Sequence, residues 1–332
     1  MYPLQRYIKT GELLNYMQGL SLIAPAKINL YLEIIGARDD GYHELAMVMQ
    51  SIDLADQVDI TANGSENIRV QCDNLEVPAD KTNLAYRAAE LMAKEFPEQF
   101  AKLGGVDIKI NKRIPVAAGL AGGSTNAAAV LVGIDLLWKL GLTKVELEEL
   151  GASLGSDIPF CVAGGTAIAT GRGEQLSEIL GLDNIYIVLG KHRSLSVSTP
   201  WAYKTYRATY GDTYLQDKHS LTTRASSVHS APMIKAIVHK DAREISLSLH
   251  NDLEKVVLPE YPKVLELREA MKSAGALGAM MSGSGPSVFA ICESLEHAEN
   301  VKQQVRLSIP DEDLELFTTQ TISQGIHLKS SI

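Results

Sequence analysis

The stretch Pro-Val-Ala-Ala-Gly-Leu-Ala-Gly-Gly-Ser-Thr-Asn-Ala-Ala-Ala, residues 115–129, holds the residue types that bind an anion without a charged side chain. A helix start leaves backbone N–H groups unpaired at the positive end of the helix dipole, and glycines ahead of it let an anion reach that backbone. Pro115, Gly119, the Gly122-Gly123 pair, the hydroxyls of Ser124 and Thr125 and the small-residue run that follows favour phosphate binding over a plain capped turn. Two common fingerprints do not fit. No Lys-Ser/Thr follows the glycines as in a P-loop, and no G-x-G-x-x-G follows the preceding strand as in a dinucleotide fold. A phosphate loop of a third type is needed.

The flanking segments must set that loop between a strand and a helix. Val106, Ile108 and Ile110 alternate with polar residues in a strand pattern, and a helix is expected from Ser124 to Leu140, stopped by Gly141. Thr143 and Glu146 have the spacing of a capping box for the next helix, which ends near 154–160, where Pro159 forbids continuation. Upstream, residues 27–35 alternate as a half-buried strand with Lys27 and Asn29 on its polar face, and Asp39-Asp40-Gly41 signals a turn into a second strand ending at 58–60. A helix begins near Thr82. Downstream, strand 185–190 opens a second unit, completed by helix 262–274, strands 276–281 and 286–292, helix 294–307 and strand 314–321. Residues 207–235, rich in Ser, Thr, Asp and Arg, are expected to be mobile or irregular.

A length of 332 residues favours two domains, read as 22–180 and 181–332 behind an N-terminal extension over 1–21, with Met17 a candidate initiator. The first 20 residues lack the apolar core of a signal peptide and the bias of a transit peptide, and no apolar run is long enough to span a membrane. Three dispersed cysteines suggest neither a disulfide framework nor a zinc site, so a cytoplasmic location is expected. The net charge of −9 argues against a nucleic-acid binder working by phosphate neutralisation. An anionic ligand must therefore be met by local donors. The oligomeric state is left between monomer and weak dimer.

Three segments, in order, resemble the motifs of the galactokinase, homoserine kinase, mevalonate kinase and phosphomevalonate kinase superfamily: "APAKINLYLEI" near the start, "PVAAGLAGGST", and "GALGAMMSGSGPSVFA" at 275–290. The resemblance covers about residues 22–322. Within the superfamily, "APAKINL", "DGYHEL", the Gly-Gly-Ser-Thr-Asn loop and "LGSDIPF" are most similar to the branch that phosphorylates a hydroxyl of a diphosphocytidyl methylerythritol for non-mevalonate isoprenoid biosynthesis. Two alternatives stand beside it: another superfamily kinase, of homoserine or mevalonate type, and a non-catalytic regulatory relative. The resemblance implies an α+β fold, with an N-terminal domain like the second domain of ribosomal protein S5 and a ferredoxin-like C-terminal domain.

The resemblance also implies roles. Asp157 matches the catalytic aspartate that accepts the proton of the attacking hydroxyl, and Lys27 the lysine beside it. Read alone, Asp157 is a turn residue ahead of Ile-Pro and Lys27 an exposed strand lysine. Tyr42, His43 and Tyr203 match a cytosine pocket, with Thr199 and Pro200 beside it; family members commonly carry phenylalanine at the position of Tyr203. Asn29 and Asn126 match polar substrate contacts, although Asn126 also reads as bonding the first helical turn. ATP would lie over Pro115, Gly119, Leu120, Ala121, Gly122, Gly123, Ser124 and Thr125, with Asn83 and Lys112 lining the adenine side. Asn83 equally reads as a helix cap. ATP chemistry implies Mg²⁺, for which Ser124 is a candidate ligand, and Gly283 and Gly285 are expected to shape the cleft.

Overall fold

The computed structural model describes residues 19–329. The expectation of a candidate initiator at Met17 lies outside the described residues. Two long strands, β1 (Gly19–Ala37) and β2 (His43–Ala62), pair antiparallel along almost their whole length. They are joined by the Asp39-Asp40-Gly41 turn, where Gly41 adopts φ +88° and the Asp40 carboxylate accepts from the Tyr42 amide at 3.0 Å. Gly19, Leu20 and Ser21, assigned to the extension by sequence, are already in register with β2.

The rest of the first sheet divides around β2. Its later half pairs with β4 (Val106–Asn111), which carries β3 (Arg69–Cys72); its earlier half pairs with β5 (Thr166–Gly171), which carries β6 (Gln175–Ile179). Against one face lie α1 (Leu84–Glu95), α2 (Pro97–Leu103), α3 (Gly122–Trp138), α4 (Lys144–Leu154) and α5 (Ile158–Ala163). Helix α3 is buried nearly all round, which explains its run of alanines: a Cβ on Gly133 would meet Ile60 Cδ1 at 2.4 Å and Leu22 Cδ1 at 2.8 Å. The helix rests on the sheet at the distance only small residues allow. The expected capping box at Thr143 and Glu146 is present at the start of α4. Pro159 does not simply end a helix. It occupies the first turn of the short α5, where a missing N–H leaves no bond unmade.

The second sheet has the order β11 (Leu314–Gln320), β7 (Tyr186–His192), β10 (Val288–Cys292), β9 (Gly278–Met281), all antiparallel. Helices α11 (Pro262–Ser273) and α12 (Leu295–Ser308) pack on it, so β7, α11, β9, β10, α12 and β11 form the expected ferredoxin-like β-α-β-β-α-β unit. Between β7 and α11 come α6 (Thr199–Tyr210), α7 (Lys218–Ser227), α8 (Pro232–Val238), α9 (Ala242–Leu247), β8 (His250–Asn251) and α10 (Glu254–Glu260). The expectation of irregular chain over 207–235 is therefore corrected. That segment is largely helical, and α7 escaped notice because none of its residues is buried, so no apolar periodicity marks it. Its cap does exist in the sequence: Asp217 accepts from the Ser220 amide at 2.8 Å.

The two halves interlock. β8 runs parallel to β1, β12 (His327–Leu328) pairs with the start of β1, and one apolar cluster joins Ile28 and Val48 to Ile187, Leu189 and Phe289. No helix among the described residues is long and apolar enough to cross a membrane.

Candidate active site

Where the two halves face each other they leave a cleft of about 800 Å³, walled by α3, β1, the turn into β2 and the first turn of α6. Its two glycine loops touch backbone to backbone. Gly119 adopts φ +74°, and a Cβ there would lie 2.3 Å from the Ser282 carbonyl oxygen; a Cβ on Gly283, at φ +56°, would lie 3.3 Å from the Gly119 carbonyl and 3.5 Å from Lys27 Nζ. Ser282 Oγ donates to the Gly119 carbonyl at 3.2 Å, tying the loops together.

Helix α3 opens differently from most. Ala121 at its N-cap is left-handed, φ 57°, and supplies no side-chain cap. The first-turn amides are thus not covered by a capping oxygen and face the cleft beside Gly122, Gly123 and Ser124. Pro115, Leu120 and Ala121 line the same wall. Thr125 is the correction within this group. Its hydroxyl is fully buried and outside the cleft, and its amide already donates to the Ala121 carbonyl at 2.9 Å, because a residue four positions into the turn rotates onto the packed face of α3. Gly285 likewise does not line the cleft. It turns the chain behind Gly283 and Ser284 at φ +78°.

Register shifts in β1 between Pro25 and Ala26 and between Asn29 and Tyr31 bracket Lys27 and Asn29, which line the cleft although both are buried. Lys27 Nζ donates to Asn29 Oδ1 at 2.7 Å and stands 3.7 Å from Asp157 Oδ2. Asp157 sits at the N-cap position of α5 yet makes no capping bond, so its carboxylate stays available to the cleft. Beneath it lies Cys161. Burial first and the Asp157 carboxylate second push that thiol far above its ordinary range, so it stays protonated and unreactive.

The other end of the cleft is aromatic. His43 is buried, with its ring 5.1 Å from Tyr203 at 33° and 5.8 Å from Tyr214 edge-on. Tyr42 is exposed and covered by the Arg172 guanidinium at 5.3 Å. Thr199 and Pro200 form the adjoining wall, and Thr199 Oγ1 shares a 2.8 Å hydrogen bond with Ser284 Oγ. Desolvation, and then the Arg207 charge, lower the His43 pKa to about 4, so the ring is neutral. Burial, with Asp157 adding, holds the Tyr203 phenol protonated.

Asn83 and Asn126 have structural bonds of their own. Asn83 caps α1, accepting from the Ala85 amide at 2.8 Å, while its side chain lines the cleft. Asn126 Nδ2 donates at 2.8 Å to Asp56 Oδ2, and Lys112 forms a short ion pair with the same carboxylate. Sequence reasoning missed Asp56, which is fully buried and also accepts from the Arg113 and Ile114 amides at 2.7 and 2.9 Å. It lies in β2 outside any motif. Arg207 was also missed, yet it stands one helical turn after Tyr203, a spacing that puts both on one face. Lys27, Lys112, Arg172, Lys204 and Arg207 line the cleft against the carboxylates Glu76 and Asp157, so the acidic chain carries a locally cationic pocket.

Comparison with known proteins adds to this geometry. Family models described as "GHMP kinases N terminal domain" and "GHMP kinases C terminal" match residues 83–165 and 233–310. The chain is 69% identical over 317 residues to a Nostoc punctiforme protein named 4-diphosphocytidyl-2-C-methyl-D-erythritol kinase, covering 95% of the chain and 100% of that relative. A Synechocystis protein of the same name is 53% identical, with 95% and 100% covered. Among solved structures, a crystal structure of 4-(cytidine 5'-diphospho)-2C-methyl-D-erythritol kinase superposes with a TM-score of 0.71 at 30% identity, covering 91% of the chain and 99% of that structure. A homoserine kinase from Cytophaga hutchinsonii, TM-score 0.70 at 18% identity with 95% and 98% covered, shares the fold.

Proposed function

The chain belongs to the GHMP kinases, and from that premise we propose that it transfers the γ-phosphoryl group of ATP to the 2-hydroxyl of 4-diphosphocytidyl-2-C-methyl-D-erythritol, in non-mevalonate isoprenoid biosynthesis. The observation that carries this reading is the position of the Lys27–Asp157 pair in one cleft with the uncapped start of α3 and the His43–Tyr203 pocket.

Phosphoryl transfer proceeds through a loose transition state, so the protein's work is positioning and charge stabilisation. The ATP phosphates rest on the amides at the start of α3, approached across Gly122 and Gly123. Asp157 accepts the proton of the attacking hydroxyl. Lys27, held by Asn29, stands beside the carboxylate and orients the attacking hydroxyl toward it. The cytosine lies against Tyr203 and Tyr42, with neutral His43 bonding the base edge. Ser124 is an oxygen donor on the cleft wall, and together with phosphate oxygens and water it suits Mg²⁺, which would neutralise charge between the phosphates. We place the enzyme in the cytoplasm, where ATP is supplied.

ATP consumption measured with diphosphocytidyl methylerythritol, homoserine and mevalonate tests the reading. Turnover of the cytidine substrate alone, lost in Asp157→Asn, is expected. Equal turnover of homoserine or mevalonate, or none with any of the three, would sink it.

A further inference from the structure

A second group of chemically capable side chains lies away from the cleft, at the end of the ferredoxin-like sheet where β7 finishes and β11 begins. His192 is the last residue of β7 and pairs in register with Leu314, the first of β11; Asp311 and Asp313 stand in the turn just before it. None of the three lines the cleft. His192 is 2% exposed, and neither of its buried ring nitrogens has a hydrogen-bond partner. A buried polar atom left unpaired costs free energy and calls for an ion or a water.

The ring is aimed at the two carboxylates. Nδ1 stands 3.4 Å from Asp311 Oδ2 and 3.8 Å from Asp313 Oδ2, beyond a good N–H···O bond, and one donor atom from each residue lies within 4.8 Å of the others. Donors about 2.1 Å from a tetrahedral ion are about 3.4 Å apart, so the His192–Asp311 edge already fits, the His192–Asp313 edge is slightly long, and the two carboxylate oxygens, within 4.8 Å of each other, draw together as the ion binds. We propose that His192, Asp311 and Asp313 bind a divalent transition metal of the zinc type, with a solvent-facing position left open, as a clip between β7 and β11. One imidazole with two carboxylates is a zinc or cobalt donor set rather than a magnesium one, which prefers oxygen and water throughout.

The surroundings also name a competitor. Lys263 Nζ lies 3.0 Å from Asp311 Oδ2 on a side chain that is 52% exposed, so it can swing away when a cation arrives. Ser194 fixes Asp313 through its amide at 3.0 Å and its hydroxyl at 2.6 Å, orienting that carboxylate as an outer partner does for a metal ligand.

Co²⁺ added to the full, tag-free, nucleotide-free chain is the probe, read by visible absorption and by the thermal unfolding midpoint. One equivalent is expected to give a d–d band and a raised midpoint. Asp311→Asn and Asp313→Asn, checked for folding by circular dichroism, are expected to weaken Co²⁺ by about ten-fold or more. Lys263→Ala is expected to tighten it. Absence of a one-equivalent band, or equal affinity in wild type and both aspartate variants, would overturn the site; unchanged affinity in Lys263→Ala would overturn the placement of the ion at Asp311.

Discussion

Lys27 Nζ and Asp157 Oδ2 stand 3.7 Å apart, although β1 supplies one and the turn into α5 the other. The lysine is buried and the aspartate side chain is 36% exposed, so the pair has one face open to a substrate hydroxyl. Replacing Asp157 by Asn keeps the shape and removes the proton acceptor. A fall in kcat of about 10²- to 10⁴-fold is expected, with ATP binding and the unfolding midpoint nearly unchanged. Lys27→Met should lower kcat as well, and stopped-flow single turnovers would locate both losses in the chemical step. Normal single-turnover rates in Asp157→Asn would remove it from the mechanism.

Two glycines of one loop should respond in opposite ways. Gly119 needs a positive φ and touches the Ser282 carbonyl, so Gly119→Ala is expected to destabilise by about 2–4 kcal/mol and to separate the loops. At Gly123 a Cβ meets nothing nearer than Leu84 Cδ1 at 3.7 Å, and the backbone is helical. Gly123→Ala should leave stability level or raise it by about 0.5–1 kcal/mol, yet raise the KM for ATP, because the methyl group stands where phosphate approaches. Urea unfolding and ATP kinetics on the two variants separate the effects. An unchanged KM for ATP in Gly123→Ala would move the phosphates off this helix start.

Asp56 is fully buried and binds two backbone amides, Asn126 and Lys112. Removing it strands the Lys112 ammonium in a site with little water. Asp56→Ala is expected to cost about 3–5 kcal/mol. In a Lys112→Met background the same change should cost clearly less, and a double-mutant cycle in urea reads the difference. Equal costs in both backgrounds would show that the carboxylate serves the backbone amides alone.

These residues show where the sequence was readable. The loop at 115–129, the capping box at Thr143 and the separate strands and helices of the second unit were legible because each is local, a turn, a cap or a short periodic run having its cause within a few residues, whereas the ferredoxin-like arrangement of those elements came only through resemblance. Lys27 and Asp157 were nameable only through resemblance, since nothing local brings β1 to α5. Asp56 could not be found at all. It sits in a strand of mixed polarity, and what makes it important, four donors arriving from the loop after β4 and from α3, is created by the packing. Helix α7 failed for the opposite reason: only Leu221 and Ala225 pack, half-buried, against the core, too few to make an apolar stripe that can be read.

Arg207 and His43 make a last pair whose coupling can be measured. Arg207 Nε donates to His43 Nε2 at 3.3 Å, and its Nη2 donates to the carbonyls of Gly41 and Tyr42 at 3.0 and 2.9 Å, so one side chain fixes the whole Gly-Tyr-His turn. The His43 pKa is lowered to about 4, first by desolvation and then by Arg207. A histidine depressed from an ordinary value of about 6.5 binds fewer protons folded than unfolded between those limits. Its contribution to stability is therefore complete above about pH 6.5 and is lost as pH falls toward 4, at up to about 1.4 kcal/mol per pH unit. His43→Gln should flatten that part of the wild-type stability profile. Arg207→Gln should raise the His43 pKa seen by NMR while leaving it below the ordinary value, because burial is the larger cause. The same variant should raise KM for the cytidine substrate more than it lowers kcat, since it loosens the base pocket and leaves Lys27 and Asp157 in place. A His43 resonance that titrates near pH 6.5 in the wild type would show that the ring is not enclosed, and the reading of a neutral imidazole at the base edge would fall with it.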